Sequence, residues 1–522
     1  MTPPLPRRAL ALLAAALLCL SACSSGGGQD PRGSADPDVT AGTDPALQRF
    51  YTQTPQWGEC GSTSGGQPLP KGLECAELTV PVDYAHPSDG DTTVALARLP
   101  ASGGDARGAL FLNPGGPGGS GVDMMASTDY FSSAKIRRDY DLVGFDPRGV
   151  DRSDGIRCLS DRELDEWRAQ PAFDPSKQPL DDVRKNSQRI GRACHEHSSA
   201  VVSNMDTQSV ARDLDVLRAS LGQATTHYMG FSYGTEIGAT YAHLFPRRTG
   251  RMVLDGAVDP ALDERSSSLA QAEGFEDNLR HFVADCQEHT RGCAVGGEDV
   301  DAGVRRIQDM LHSVAQGRTR TSDGRTVTPT NALEGILVPL YSTSGYDQLN
   351  SALHEAFDGS FDALMASSDA NHGRDPSGKY TSNVSMAFLA VGCLDATDSG
   401  VTDAQMTRAA QQMTERAPTF GPYLGYGAAA CQGWPDKPVT PLPELRADVE
   451  TPAVVIGTTH DPATPYPWAQ SLASQLGRAR LLTHEGYGHT AYTSGSGCIT
   501  RAVDDYLLDG TLPDEGTVCR QS

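Results

Sequence analysis

Residues 230–234 read Gly230-Phe231-Ser232-Tyr233-Gly234. The strand-like run Thr226-His227-Tyr228-Met229 leads into them, and Thr235-Glu236-Ile237-Gly238-Ala239-Thr240-Tyr241-Ala242, which suits a helix, follows. A serine between two glycines at a strand-to-helix junction constrains the fold more than any other feature of the chain. The turn is too sharp for side chains at the flanking positions, and it lifts the serine hydroxyl clear of the end of a sheet. The pentapeptide is short and the chain holds 55 glycines, so its surroundings decide its meaning.

Two partners for that serine follow in order. Ala453-Val454-Val455-Ile456-Gly457 is a short apolar, β-branched run of the kind a buried parallel strand requires, and Thr458-Thr459-His460-Asp461-Pro462 comes directly after it. A second run, Ala479-Arg480-Leu481-Leu482-Thr483, precedes Gly486-Tyr487-Gly488-His489. The order Ser232, Asp461, His489 is that of α/β-hydrolases and differs from the chymotrypsin and subtilisin orders. Each residue also has a plain reading. Asp461 can cap a turn before Pro462, and His489 is one of thirteen histidines. Asp255, after the strand-like Arg251-Met252-Val253-Leu254, is a rival acid one strand earlier.

A fourth component precedes these three. Ala109-Leu110-Phe111-Leu112 opens into Asn113-Pro114-Gly115-Gly116-Pro117-Gly118-Gly119-Ser120-Gly121. Glycines there leave backbone N–H groups bare to a substrate oxygen. The expected oxyanion hole is the N–H of Gly116 with that of Tyr233, next after the nucleophile. The same loop read as a phosphate cradle lacks both the Gly-Lys-Ser/Thr ending and the dinucleotide spacing.

On these residues the chain resembles the α/β-hydrolase serine exopeptidases of the tripeptidyl aminopeptidase and proline iminopeptidase kind, in the exported lipoprotein branch of the actinobacteria. The matching stretches are Asn113 to Gly118, Asp141-Leu142-Val143-Gly144-Phe145-Asp146-Pro147-Arg148-Gly149, Ala211 to Arg218, the serine turn with Tyr233-Gly234-Thr235, Arg251 to Gly256, and Gly486 to His489. Relatives often carry His-Gly-Gly-Pro-Gly in the glycine loop, where Asn113-Pro114 stands here. They often read Asp-x-Arg-Gly-x-Gly-x-Ser, where this chain has Asp151 at the second glycine.

The start of the chain bears on location. Arg7-Arg8 precedes an apolar stretch from Ala9 to Leu20, too short to span a membrane and typical of a signal peptide. It ends in Leu20-Ser21-Ala22-Cys23, a lipobox-like sequence that predicts lipidation of Cys23; ordinary secretion with cleavage nearby is the alternative. Residues 24–45 are rich in Gly, Ser, Asp and Pro and read as a flexible tether. The net charge of −23 disfavours nucleic acid and anionic lipid surfaces. Beyond Cys19 and Cys23 ten cysteines remain, an even number that implies disulfides in an exported chain. Sequential pairing is the expectation: 60–75, 158–194, 286–293, 393–431 and 498–519. No spacing of Cys and His suggests a zinc site.

Strands are expected at about 94–99, 108–112, 140–145, 226–231, 251–254, 453–457 and 479–483, with first strands between Trp57 and Val82. Helical patterns lie between them. Val210, Leu214, Leu217 and Leu221 form one apolar face, while Val304 to Val314 and Asp347 to Phe361 read as further helices. Alternation of this kind gives an α/β fold, the α/β-hydrolase fold: a doubly wound, mostly parallel sheet with an inserted, mainly helical cap domain. The division expected is 1–22 signal peptide, 23–45 lipidated cysteine and tether, 46–258 first part of the core, 259–447 cap, and 448–522 second part of the core.

The resemblance implies an exopeptidase acting through a Ser-His-Asp acyl-enzyme on peptides with a free N-terminus, releasing short peptides, above all tripeptides. It needs no cofactor or metal and no nucleic-acid partner, and it meets the membrane only through its N-terminal lipid. Such an enzyme requires a carboxylate for the substrate's α-ammonium, for which Asp395 and Glu485 are the candidates. Thr464, three residues past Asp461, is a candidate for orienting that carboxylate, or simply a turn hydroxyl. A carboxylesterase or lipase on the same triad is the alternative activity. Haloalkane and epoxide chemistry is disfavoured, because those relatives use an aspartate where Ser232 stands.

Overall fold

The computed structural model describes residues 40, 43–170, 179–198, 200–397, 400–442 and 445–520. The signal-like segment, Cys23 and nearly all of the tether lie outside them. The described residues form a ten-stranded mixed sheet. Its strands are β1 (Gly58–Glu59), β2 (Glu74–Pro81), β3 (Asp91–Leu99), β4 (Ala109–Asn113), β5 (Asp141–Phe145), β6 (Thr226–Phe231), β7 (Thr249–Asp255), β8 (Ala453–His460), β9 (Ala479–Tyr487) and β10 (Val518–Arg520). The spatial order is β1-β2-β3-β5-β4-β6-β7-β8-β9-β10. The N-terminal strands pair antiparallel, and from β5 to β10 every pairing is parallel.

The apolar runs fold this way because both faces of the sheet are covered. All five residues of β4 are buried. The period of two sends Leu110 and Leu112 to one face, with Ile499, Val503 and Tyr506, and Phe111 to the other, with Leu214, Leu217 and Ile237. The apolar face read in 207–221 is the helix Thr207–Ser220, capped by Asp206, whose side chain accepts the Ser209 N–H.

Two strands run further than the sequence indicates: β8 continues to His460 and β9 to Tyr487. The edge strand β10 is unexpected. It is three residues long and fastened by the Cys498–Cys519 disulfide. The other bonds join Cys60 to Cys75, Cys158 to Cys194, Cys286 to Cys293 and Cys393 to Cys431, so the set is sequential.

Between β7 and β8 the chain is mainly helical, beginning with the long helix Glu264–His289. Phe275, Leu279, Phe282, Ile307 and Leu349 centre a hydrophobic cluster of its own. The helix expected over Asp347 to Phe361 divides at Gly359, whose φ is +97°, into Tyr346–Phe357 and Asp362–Asn371. The helix Val384–Leu394 instead sends Met386, Ala387 and Ala390 into the main core. It presses on the glycine loop so closely that a Cβ at Gly118 would lie 2.9 Å from that of Ala387.

Candidate active site

Ser232 sits between β6 and the helix Tyr233–Leu244 with φ 54° and ψ −129°, a region costly for any residue with a side chain. The flanking glycines explain how the turn closes. A Cβ at Gly230 would lie 2.3 Å from the Gly234 carbonyl oxygen, and one at Gly234 2.8 Å from that of Asn113. The Ser232 N–H donates to the Asp255 carbonyl at 2.9 Å, tying the turn to the end of β7.

Asp461 follows β8 directly, and His489 stands two residues past β9. Nδ1 of His489 lies 2.9 Å from both carboxylate oxygens of Asp461. The acid is 1 % exposed and held from several sides. It accepts N–H bonds from Ala463 (2.9 Å), Thr464 (2.8 Å) and Thr490 (3.2 Å), and the Thr464 hydroxyl donates to Oδ2 at 3.0 Å. The same hydroxyl lies 3.3 Å from His489 Nδ1. Burial works against a charged imidazole. The charge and hydrogen bond of Asp461, with the charge of Asp255 beyond, outweigh it, so the His489 pKa is raised above its ordinary value. Nε2 of His489 is buried and makes no hydrogen bond. With Nδ1 committed to the acid, Nε2 is the nitrogen free to accept a proton.

Gly256 joins the serine turn to the histidine. It follows Asp255, has φ +67°, and a Cβ there would lie 3.1 Å from His489 Cε1, 3.0 Å from Thr490 Cγ2 and 3.2 Å from Thr464 Oγ1. The rival acid Asp255 does not reach the imidazole through a hydrogen bond. Its carboxylate accepts the N–H groups of Ala491 (2.9 Å) and Tyr492 (2.8 Å), bracing the loop that carries His489. Burial pushes its pKa up to about 6.

The glycine loop lies against the serine turn. The Gly115 Cα is packed so close that a Cβ would meet Phe231 O at 2.4 Å and Tyr233 N at 2.9 Å. Gly115 spends its own N–H on Asn113 Oδ1 at 2.9 Å. Asn113, in the Asn113-Pro114 pair that stands where relatives carry histidine, thus helps to turn the loop. Among the described residues neither the Gly116 nor the Tyr233 N–H is engaged in a hydrogen bond. The loop's far end is held by Asp146 of the Asp-Pro-Arg-Gly stretch, which accepts from Ser120 Oγ (2.5 Å) and Val122 N (3.0 Å). Asp151 occupies φ 37°, the left-handed region that aspartate tolerates better than most residues. It exchanges two bonds of 3.1 Å with Asn383, at the start of the helix that covers the loop.

The two carboxylates considered for an amine lie apart. Glu485 is exposed on β9 and its Oε2 pairs with Arg520 of β10 at 2.8 Å. The unforeseen edge strand brings Arg520 opposite Glu485. Asp395 caps the helix Val384–Leu394 and accepts the Thr207 hydroxyl at 2.7 Å, which meets the Tyr233 phenol at 2.6 Å. With Glu236 it lines a cleft of about 860 Å³ whose walls include none of Ser232, Gly116, Asp461 and His489. Burial, joined by the charges of Glu236 and Asp206, raises the Asp395 pKa well above the carboxylate range, and burial pushes Glu236 up to about 7.

Two family models match the chain: "alpha/beta hydrolase fold" over residues 108–296 and "TAP-like protein" over residues 417–519. The chain is 36 % identical over 482 residues to "Serine protease Hip1" of Mycobacterium tuberculosis, covering 90 % of this chain and 91 % of that protein. It is 36 % identical over 498 residues to "Carboxylesterase B" of the same organism, covering 94 % of each. "Tripeptidyl aminopeptidase" of Streptomyces lividans is 29 % identical over 480 residues, covering 89 % of this chain and 86 % of that protein.

Proposed function

The chain belongs to the α/β-hydrolase family, in its tripeptidyl aminopeptidase-like branch, and from that premise we propose that it is a serine peptidase releasing short peptides, tripeptides above all, from free N-termini. The observation that carries this reading is the His489 imidazole, fastened to Asp461 through Nδ1 with Nε2 unspent, beside a strained Ser232 turn with two unengaged N–H groups.

His489 takes the Ser232 proton as the hydroxyl attacks a peptide carbonyl. Asp461 holds the tautomer and stabilises the imidazolium. The oxyanion is met by the N–H groups of Gly116 and Tyr233, the leaving amine takes the proton back, and water hydrolyses the acyl-enzyme by the same steps. Thr464 is a positioning residue for Asp461. Asp395 and Glu485 are both proposed as carboxylates for the substrate's ammonium, Glu485 lying at the surface beside Arg520; at Asp395 a bound cation would displace the proton that burial favours. Signal cleavage, lipidation of Cys23 and display on the outer face of the membrane complete the proposal. The five disulfides support an oxidising compartment. No helix among the described residues is long and apolar enough to cross a membrane.

The esterase reading stands second, because the carboxylesterase relative is as similar to this chain as the protease relative. Matched fluorogenic reporters separate the two: Pro-, Ala-Ala-Pro- and N-acetyl-Ala-Ala-Pro-amides and a short-chain ester, each with Ser232→Ala as blank. Turnover of the free-amine tripeptide and not its acetylated form is the expected result. Equal turnover of the acetylated form removes the amine requirement, and turnover of the ester only moves the assignment to esterase.

A further inference from the structure

The last rung between β8 and β9 pairs His460 with Tyr487. One of these residues immediately precedes the acid and the other stands two before the base. Their rings stack at 4.1 Å between centroids and 11° between planes. The other face of Tyr487 is covered by His281, at 3.5 Å and 7°. That third ring belongs to the long helix Glu264–His289 of the segment between β7 and β8. Tyr487 is therefore sandwiched between an imidazole of the sheet and one of the helical segment.

The stack is the end of a longer seam. Gln271 Nε2 donates to the Ala463 carbonyl at 2.8 Å. A Cβ at Gly274 would lie 2.8 Å from the Pro462 carbonyl oxygen, so the helix backbone rests on the acid loop. Asn278 Nδ2 donates to the His460 carbonyl at 3.1 Å, and Asp277 Oδ2 meets His460 Nδ1 at 2.8 Å. Positions 271, 274, 278 and 281 recur at helical spacing and form one stripe. The adjoining side, with Phe275, Leu279 and Phe282, fills the segment's own core. The stripe touches residues 460, 462, 463 and 487, and Asp461 and His489 hang from those positions. A second contact from the same segment completes the hold: the Tyr341 carbonyl accepts the His489 N–H at 2.8 Å, and its ring stands edge-on to the imidazole at 5.3 Å.

We propose that Tyr487, gripped by His281 and His460, is a positioning residue, and that docking of this helix sets the distance between Asp461 and His489. None of the three rings touches the reacting atoms; they act through the loops. Burial and the facing His460 hold the His281 imidazole below its usual range, against the pull of Asp285 and Asp277, so it stacks as a neutral ring at neutral pH. The inference rests on the proposed Ser232–His489–Asp461 chemistry.

The test uses His281→Ala, His281→Phe, Tyr487→Leu and Tyr487→Phe in the whole mature enzyme. Each is assayed for kcat and KM on whichever reporter the wild type turns over, and for the rate at which a fluorophosphonate labels Ser232. A loop displacement of a few tenths of an ångström predicts a loss of roughly fivefold in kcat and in labelling for the Ala and Leu variants. KM should stay within twofold, and both Phe variants, which restore a flat ring, should recover. Retention of kcat in His281→Ala and Tyr487→Leu, a loss confined to KM, or failure of the Phe variants to recover overturns the inference. Should Tyr487→Leu not fold, the His281 pair decides by the same criteria. Full activity in Ser232→Ala would sink the triad reading itself, an outcome distinct from any of these.

Discussion

Replacing Gly256 by alanine probes how tightly the backbone sets His489, the proposed catalytic base. The residue adopts φ +67°, and the added Cβ would meet His489 Cε1, Thr490 Cγ2 and Thr464 Oγ1 at 3.0 to 3.2 Å, where 3.4 Å or more is ordinary. Two costs follow. A left-handed conformation costs an L-residue about 1–2 kcal/mol, which lowers stability. Relief of the contacts pushes the imidazole by about 0.2–0.4 Å; at about a hundredfold per ångström of misplacement, that is roughly a three- to sixfold loss of kcat. Gly495→Ala separates the two. Gly495 has φ +80° and nothing within 4 Å of its missing Cβ, so it shares the backbone cost without the displacement. Thermal unfolding should fall alike in both variants, while steady-state hydrolysis should show reduced kcat with unchanged KM in Gly256→Ala only. Equal kcat in the two variants would refute the reasoning, and so would a loss that falls on KM.

Asp461→Asn should lower kcat/KM by about 10⁴, because the imidazole loses both its tautomer and its counter-charge. The wild-type pH profile supplies the companion check. His489 acts as a base only when neutral and its pKa is raised, so activity should fall as pH drops through a value above about 6.5; removing the Asp461 charge should move that limb to lower pH, and an unmoved limb would contradict the assignment. Thr464→Val removes a 3.0 Å bond to Asp461 and should cost roughly two- to tenfold in kcat/KM, with Thr464→Ser recovering most of it; full retention by the valine variant rejects the positioning role. Asp213→Ala leaves the fully buried Arg148 guanidinium without its two-pronged partner at 2.6 and 2.7 Å. It should destabilise the fold by about 3–5 kcal/mol, and an unchanged unfolding transition would show that the pair is not structural.

The catalytic strands were legible because each proposed catalytic residue stands just past a run that could be little else. Val454-Val455-Ile456 before Asp461 and Leu481-Leu482 before His489 are short apolar runs, the first closed by Gly457. Beyond Gly457 and Thr483 the composition turns polar, and pattern recognition ends both strands early. What carries them to His460 and Tyr487 is their mutual pairing, together with the helix packed over it. The ion pair of Glu485 was invisible for a similar reason. Its partner Arg520 lies 35 residues away on a strand of three residues, held in place by a disulfide. Asn383 carried no signal in advance. Its exchange of bonds with Asp151 spans 232 residues and exists only once the helix Val384–Leu394 has packed on the glycine loop.

Asp255 and Asp461 show where local reading ends. Both are aspartates at the ends of neighbouring parallel strands, and both are fully buried. Sequence order makes either an acceptable acid for His489. The difference lies in the next few residues. After Asp461 the turn Pro462-Ala463-Thr464 bends back, and its two N–H groups and one hydroxyl hold the carboxylate toward Nδ1. After Asp255, Gly256 turns left-handed and brings its bare Cα under the imidazole, leaving the Asp255 carboxylate to the backbone of Ala491 and Tyr492. One acid is thereby aimed at the ring and the other at the loop that presents it. Burial raises the Asp255 pKa to about 6 even with those N–H bonds and His489 favouring its charge, so the carboxylate is ionised at neutral pH but held there at a cost. Asp255→Asn, which keeps the shape and gives up the charge, should therefore hold stability near neutrality while loosening His489. Loss of kcat without loss of melting temperature is the expected signature. A variant as active as the wild type would mean that the loop stands without the carboxylate.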